Sequence, residues 1–239
     1  MTDYAKLAED LTRSLALANA PLAITFGKEA PAGVELFADP MPNPTEDGRT
    51  GRVAAGCVFW MKAAERTFST VAEDHGNCSV GSLTHGFKTL EEAGTKADVG
   101  TLVEAGWVTP EMFPDIPVVA EKPGAVTYGP LSETPVDPDV VFLRVNAKQA
   151  MTLSDAFPDM QFEGKPQCHI IPIAREQNKV ALSVGCMLSR VRTGMPNTEM
   201  TCAIPGARLE EVVQRIKTTN AIDASVADYA GQDARRFDA

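Results

Sequence analysis

The sequence lacks the short motifs that identify a reaction directly. It contains no G-x-S-x-G, H-E-x-x-H, P-loop or G-x-G-x-x-G pattern, so the common signatures of hydrolases, zinc proteases and nucleotide-binding proteins are absent. It also lacks an apolar run near the roughly 20 residues of a membrane span. Its N-terminus does not have the basic and then apolar order of a signal peptide. These absences predict a cytoplasmic protein without a membrane segment.

Positive charge is scarce. The chain has 22 Lys and Arg against 32 Asp and Glu, for a formal net charge of −10, and the Lys and Arg residues form no cluster. Nucleic-acid-binding proteins present a basic patch, and anionic membrane surfaces attract basic segments. We therefore expect neither nucleic acid nor membrane as a partner. A small molecule or a redox partner protein is expected instead, and homo-oligomerisation is left open.

Histidine is rare as well, and cysteine is present in an odd number. The 239 residues include three His and five Cys. An odd count in a chain of this length is not typical of a disulfide framework. In a reducing compartment, cysteines are metal ligands, catalytic groups or small core residues. The functional hypotheses below therefore depend on where the cysteines lie.

The hydrophobic pattern predicts an α/β (or α+β) protein with mixed sheets flanked by helices. We expect one compact unit over residues 1–239, built of two similar packed halves at about 1–130 and 131–219. Residues 220–239 form an acidic, Ala-rich tail with no clear period. Predicted strands cover 22–26, 67–72, 125–128, 140–145, 179–184 and 200–204; predicted helices cover 2–18, 57–66, 90–106, 147–157 and a segment after 206.

Cys78 and Cys186 occupy equivalent places in this pattern. Each follows a predicted strand and begins a predicted helix, where unpaired backbone N–H groups and the helix dipole favour a thiolate. Cys57 precedes Cys78 by 21 positions, and Cys168 precedes Cys186 by 18. This order indicates an internal duplication. A pseudo-two-fold axis relating the halves would bring the four cysteines into one site.

Four cysteines at these spacings predict a site assembled from distant parts of the chain. Thiolates suit zinc and iron–sulfur clusters, but the C-x₂-C spacing of zinc ribbons and ferredoxins is absent. The leading hypothesis is a cysteine-ligated cofactor, a [4Fe–4S] cluster used for redox chemistry or sensing. Its metal ligands would be Cys57, Cys78, Cys168 and Cys186.

Three further hypotheses remain open. The first is a haem protein with a cysteine or His75 as axial ligand, which makes His75 a candidate cofactor-binding residue. The second is a cofactor-free thiol protein with Cys78 as nucleophile. The third is a small-ligand binding protein whose cysteines only pack. We interpret Cys202, inside an apolar strand, as a core residue and His85 as a helix C-cap. Arg190 and Arg192, which follow Cys186, are interpreted as part of a solvated helix face.

The same residues resemble a known family, the bacterial and archaeal proteins catalogued as domain of unknown function 169. The resemblance runs over roughly residues 3–217 and implies a shared fold and a four-cysteine set at Cys57, Cys78, Cys168 and Cys186. Cys202 and His75 do not belong to the family pattern. The matching segments are Pro21-Leu22-Ala23-Ile24, Cys57 with its helix, Ala72-Glu73-Asp74, Asn77 to Gly81, Val140 to Leu143, Cys168, Ser183-Val184-Gly185-Cys186 and Glu199 to Gly206.

Overall fold

A single mixed sheet of seven strands runs through the computed structural model, which describes residues 2–38, 55–76 and 78–236. Helices cover both faces of this sheet, so the predicted fold class is confirmed. The strands are β1 (Leu22–Gly27), β2 (Phe68–Thr70), β3 (Ala125–Pro130), β4 (Val140–Val145), β5 (Gln161–Glu163), β6 (Ala181–Ser183) and β7 (Met200–Pro205).

The centre of the sheet is the antiparallel pair β1 and β4, one strand from each predicted half. The strand order is β2-β3-β1-β4-β7-β6-β5, and only the β5–β6 pair is parallel. Outward from the centre, β1 is followed by β3 and β2, and β4 by β7 and β6. The two halves therefore share one sheet, and three strands of each follow the same order, whereas β5 is an additional strand of the second half. The internal duplication itself stays a prediction.

Helices and strands alternate along much of the described chain, except that three α-helices follow one another between β2 and β3 and no α-helix separates β3 from β4. Two predicted segments differ from what we expected: the helix predicted over 90–106 is two helices, and the segment predicted as an unpatterned tail continues the last helix. The α-helices are α1 (Tyr4–Leu15), α2 (Ala55–Lys62), α3 (Ser79–Thr84), α4 (Leu90–Gly94), α5 (Ala97–Glu104), α6 (Ala147–Ala156), α7 (Ile170–Gln177), α8 (Met187–Thr193) and α9 (Leu209–Ala234).

Side chains of the central strands alternate between two cores, as the pleat of a strand requires. On β4, Phe142 belongs to the core beneath α2, α3 and α7, which we call the cysteine face. Its neighbours Val141 and Leu143 belong to the core beneath α1, α6 and α9, which we call the aliphatic face. On β7, Cys202 points into the aliphatic face, away from the other four cysteines. Its interpretation as a core residue is confirmed.

Two further sequence predictions concern chain connections and membrane segments. Residues 28–52 are rich in Pro, Gly, Asp and Glu, which predicts an irregular connection; the segment falls partly outside the described residues, which stop at 38 and resume at 55. Within the described ranges, no helix combines the length and apolar character that crossing a membrane requires.

Candidate functional site

Cys78 lies at the N-cap of α3, as the sequence predicts. A 3₁₀ turn, Ala72–His75, separates it from β2, and its backbone is extended (φ −143°, ψ 95°). The next residue, Ser79, donates its backbone N–H and its hydroxyl to the two carboxylate oxygens of Asp98 on α5, each at 2.8 Å. This carboxylate therefore fixes the start of α3 and the position of Cys78.

Cys186 lies at the N-cap of α8 in the same way (φ −135°, ψ 132°). The preceding Gly185 has φ +113°, where a side chain is strained, and an added Cβ would lie 2.9 Å from Arg190 Nη2. The guanidinium of Arg190 donates to the carbonyls of Val184 and Glu199 at 2.7 Å. Arg190 thus braces the turn that presents Cys186, a role that the sequence pattern did not indicate.

Cys57 lies on a helix, and Cys168 lies in a turn that leads into another helix. Cys57 is on α2, half-buried, in the first turn. Cys168 is buried in the 3₁₀ turn Gln167–His169, which leads directly into α7. Neither position follows a strand directly. The four thiols therefore belong to four separate elements.

All four of these cysteines line one cavity, which we call the cysteine cavity. Its volume of about 30 Å³ is room for about two water molecules. The remaining wall is mostly apolar and includes Trp60 and Trp107, the only two tryptophans of the chain. The lining consists of Cys57, Trp60, Cys78, Val80, Gly81, Trp107, Pro166, Gln167, Cys168, Cys186, Leu188, Ser189 and Arg192.

The thiols surround the cavity and are not gathered at one point. Among the residues that the structure describes, no three His, Cys, Asp or Glu side chains are close enough to hold one metal ion. A tetrahedral zinc site with Zn–S bonds of about 2.3 Å requires sulfurs about 3.8 Å apart. The arrangement therefore differs from a preformed mononuclear site.

Burial favours the protonated form of three of these thiols. Burial, and then the neighbouring Cys78, raises the pKa of Cys57 to about 12. Burial also raises the pKa of Cys168 well above its usual value, and that of Cys186 less strongly. At Cys186, burial raises the pKa more than the N-terminus of the following short helix, α8, lowers it. Any metal bound here has to displace protons from the sulfurs.

Polar groups around the cavity oppose that effect and favour thiolates. Against the larger effect of burial, Arg192 and the Ser189 hydroxyl lower the pKa of Cys57, and the backbone N–H groups of Ser189 and Leu188 lower that of Cys186. Ser189 also accepts a hydrogen bond of 2.6 Å from Gln167 Nε2. The Oε1 atom of Gln167 is buried without a hydrogen-bond partner among the described residues.

The candidate His75 is not part of the cavity lining. It is fully buried and packs on Phe87 and Phe59 with ring centroids 4.6 and 5.0 Å apart. Its Nε2 atom is 2.9 Å from Thr70 Oγ1. His85 is the C-cap of α3, as predicted, and its ring centroid lies 5.6 Å from that of His75. The structure therefore brings the four cysteines together but places both histidines in the core.

Sequence reasoning missed several residues of the cavity. Trp107 is remote from every cysteine in sequence, and no pattern connects it to them. Gln167 precedes Cys168 directly, and Ser189 is one helical turn after Cys186, a spacing that places it on the cysteine's side of α8. The interpretation of Arg192 as part of a solvated helix face is wrong, because this residue lines the cavity.

The fold and the site define a mixed α/β protein in which four thiols surround one apolar cavity. The model of domain of unknown function 169, described as "Uncharacterised ArCR", matches residues 10–215. The chain belongs to this family, as the sequence resemblance implied. No curated protein and no solved structure matches the chain.

Proposed function

We propose that this protein binds an iron–sulfur cluster of the [4Fe–4S] type through Cys57, Cys78, Cys168 and Cys186, for electron transfer or sensing. One observation carries the proposal: four cysteines from four separate elements line the same cavity. Cysteine thiolates are the standard ligands of such clusters. The fifth cysteine lies on the opposite face of the sheet.

The placement of the thiols supports a cluster over a single ion. Ligands of a cluster lie around its perimeter, whereas ligands of one ion converge on a point. The thiols surround a cavity and do not converge. The cavity is smaller than four iron and four sulfide atoms, so loading requires the lining to open. Cys57 and Cys78 are half-buried, so iron and sulfide would reach the cavity from their side.

The surroundings of the thiols favour a cluster over a haem or a nucleophilic cysteine. A haem is much larger than a [4Fe–4S] cluster and would require a far larger opening of the cavity of about 30 Å³, and His75 is packed elsewhere. A nucleophilic cysteine needs a lowered pKa, and the raised pKa values of Cys57, Cys168 and Cys186 argue against these three thiols as nucleophiles. When bound, the cluster would supply one-electron chemistry. Arg192 would place a positive charge beside it, and Trp60 and Trp107 would exclude water.

The compartment belongs to the same proposal. All five cysteines are free thiols, and exposed or half-buried ligand thiols persist in a reducing environment. We therefore place the protein in the cytoplasm, with a redox partner protein or a small molecule as its counterpart.

Purification without oxygen, followed by reconstitution with ferrous iron and sulfide, tests the proposal. We expect a broad absorption band in the visible region, about four iron and four sulfide per chain, and quenching of tryptophan emission because both tryptophans line the cavity. Cys202→Ala is the matched control and should behave as the native chain.

Three results would contradict the proposal. Zinc without sulfide would identify a mononuclear site. A sharp Soret band would identify a haem. A colourless chain with no bound metal after reconstitution would leave only the cofactor-free thiol protein and the small-ligand binding protein.

A further inference from the structure

A second cavity lies at the opposite end of α3 from Cys78. Val80 and Gly81 of α3 line the cysteine cavity, whereas Leu83, Gly86 and Phe87 line this second one. Its volume is about 350 Å³, within the range of small-molecule sites. We call it the lysine cavity; it is lined by Leu83, Gly86, Phe87, Lys88, Thr89, Leu90, Glu92, Phe113, Pro114, Ile116, Val118, Val119, Ala120 and Lys122.

Most of the lysine cavity is apolar and open to water. Leu90 and Val118 in its wall are 41% and 39% exposed, while Phe87 and Val119 are buried behind them. Covering such a surface with an apolar ligand is favourable, at about 25 cal/mol for each Å² removed from water. The walls therefore favour a ligand with an apolar body.

The wall contains more positive than negative charge. Lys88 and Lys122 line it together with a single carboxylate, Glu92. That carboxylate closes the capping box of α4, where it accepts the backbone N–H of Thr89 at 2.8 Å. Asp98, the other acid near Lys88, is bound to Ser79. Both carboxylates are thus engaged in helix ends. They offset part of the lysine charge, but two lysines against one carboxylate in the wall leave net positive charge for a ligand.

The environment of Lys88 fits this role. The side chain is partly buried, and burial, followed by the charge of Lys96, lowers its pKa. A buried cation is unfavourable unless it is paired. An anion bound in the cavity would supply that pair.

The wall is held in place by the chain around it. Gly86 has φ +77°, and an added Cβ would lie 2.9 Å from the Val119 carbonyl oxygen. Val119 donates its N–H to the Thr84 carbonyl at 3.0 Å. The segment that carries Val118, Val119 and Lys122 is therefore fixed against the end of α3, so the cavity is built into the fold.

We propose that the lysine cavity binds a small organic carboxylate with an apolar body, whose carboxylate contacts Lys88 and Lys122. The apolar part lies against Leu83, Phe113 and Ile116. The six residues of α3 span about 9 Å, so the ligand lies one short helix away from the cysteine cavity. Binding here does not depend on the cluster proposed above.

Isothermal titration of the metal-free chain with octanoate tests this site, with octan-1-ol and octylamine as neutral and cationic probes of the same length. We expect saturable octanoate binding and none of octylamine. Lys88→Met and the more exposed Lys122→Met should each weaken octanoate binding about tenfold or more, the effect of one charge-assisted hydrogen bond. Neither substitution should change octan-1-ol binding.

Two controls separate the site from general effects. Lys148→Met, on the exposed side of α6, should leave octanoate binding unchanged. Val118→Trp should fill the cavity and abolish the binding of both octanoate and octan-1-ol. Octanoate binding should persist in Cys57→Ser, so failure of the cluster proposal leaves this one intact. Equal binding of octanoate and octylamine, no saturable octanoate binding, or native affinity in both lysine variants would overturn the proposal.

Discussion

The two faces of the sheet bury similar numbers of hydrophobic residues but differ in what these residues surround. On the aliphatic face, Leu11, Leu143, Leu153 and Ile216 fill the space between α1, α6, α9 and the sheet. On the cysteine face, helices only six to eight residues long surround four thiols and a cavity. The structure therefore separates a face that stabilises the fold from a face that holds a site.

This difference teaches where polar groups are tolerated. The cysteine face buries His75, His85, Gln167 and Ser189, several of them with atoms that lack partners among the described residues. Groups of this kind reduce stability. On the aliphatic face the buried carboxylate of Asp10 is paired with Lys6 and Lys217 at 2.6 and 2.8 Å. The cysteine face thus contains buried polar atoms without hydrogen-bond partners among the described residues, whereas Asp10 on the aliphatic face is paired.

The largest expected effect is loss of the cofactor. Serine substitution of Cys57, Cys78, Cys168 or Cys186, one at a time, should lower the iron content after anaerobic reconstitution to less than half of the native value, because each supplies a ligand. Cys202→Ala should retain full iron. Iron and sulfide assays measure this. Equal iron in all five variants would break the comparison between the faces.

The next prediction compares neighbours on β4. Leu143→Ala should lower the free energy of unfolding by about 2–5 kcal/mol and leave tryptophan emission unchanged, because Leu143 faces away from the cysteine cavity. Phe142→Leu should shift that emission, because its ring lies 4.3 Å from the Trp60 ring. Urea unfolding and fluorescence of both variants measure this. A spectral change in Leu143→Ala would contradict the separation.

Mild acid should destabilise the cysteine face first. Burial lowers the pKa of His85 to about 4, against about 6.5 in the unfolded chain. Stability from this group is full above pH 6.5 and falls as the pH drops to 4, by about 3 kcal/mol. Burial also lowers the pKa of His75, so this residue adds to the loss of stability in acid.

The aliphatic face should respond only to stronger acid. Hydrogen bonds from Lys217 and Lys6 lower the pKa of Asp10 to about 2, so its contribution to stability is full above pH 4 and is lost as the pH falls towards 2.

Urea unfolding of the metal-free chain between pH 7.5 and 4 measures the effect of the buried histidines on stability. His85→Phe should flatten the curve, and an unchanged slope would refute the assignment.

The smallest expected effect is at Gly185. Gly185→Ala should cost about 1–3 kcal/mol, because alanine is strained at φ +113° and its Cβ would press on Arg190. It should also slow cluster loading, since Arg190 braces the turn before Cys186. Gly164→Ala, where a Cβ meets nothing within 4 Å, is the matched control. Equal stability of the two variants would contradict the role of Arg190 in bracing the turn before Cys186.

Sequence patterns predicted the parts of the fold that are regular and half-buried. The strand at Val140–Val145 was predicted at its observed bounds, because its side chains are almost all buried. Strand β5 was missed because it has three residues and an exposed Phe162. The second half of α9 was missed because most of its residues are small or acidic and nearly all are exposed. Ile222, Val226 and Tyr229 at helical spacing, all exposed, were the sequence signal that could have found it.

The site divides in the same way. Cys78 and Cys186 were predicted at helix N-caps because a strand, a glycine and a helix follow one another locally in sequence. The cavity wall was not predictable, because Trp107 and Arg192 reach it only through the packing of α5 and α8 around the thiols. His75 was a candidate because it is three residues from Cys78, and its ring instead packs among Phe59 and Phe87.

The strands at the two edges of the sheet, β2 and β5, have three residues each, whereas β1, β3, β4 and β7 have six. Beside β2, the backbone groups of Ser69 are already hydrogen-bonded to the chain near Leu36. The Ser69 carbonyl accepts the N–H of Phe37, and the Ser69 N–H donates to the carbonyl of Glu35. Short or occupied edges give another chain little backbone to pair with. Pairing of copies edge to edge, and with it strand-by-strand growth into fibrils, is therefore disfavoured at both edges of the sheet.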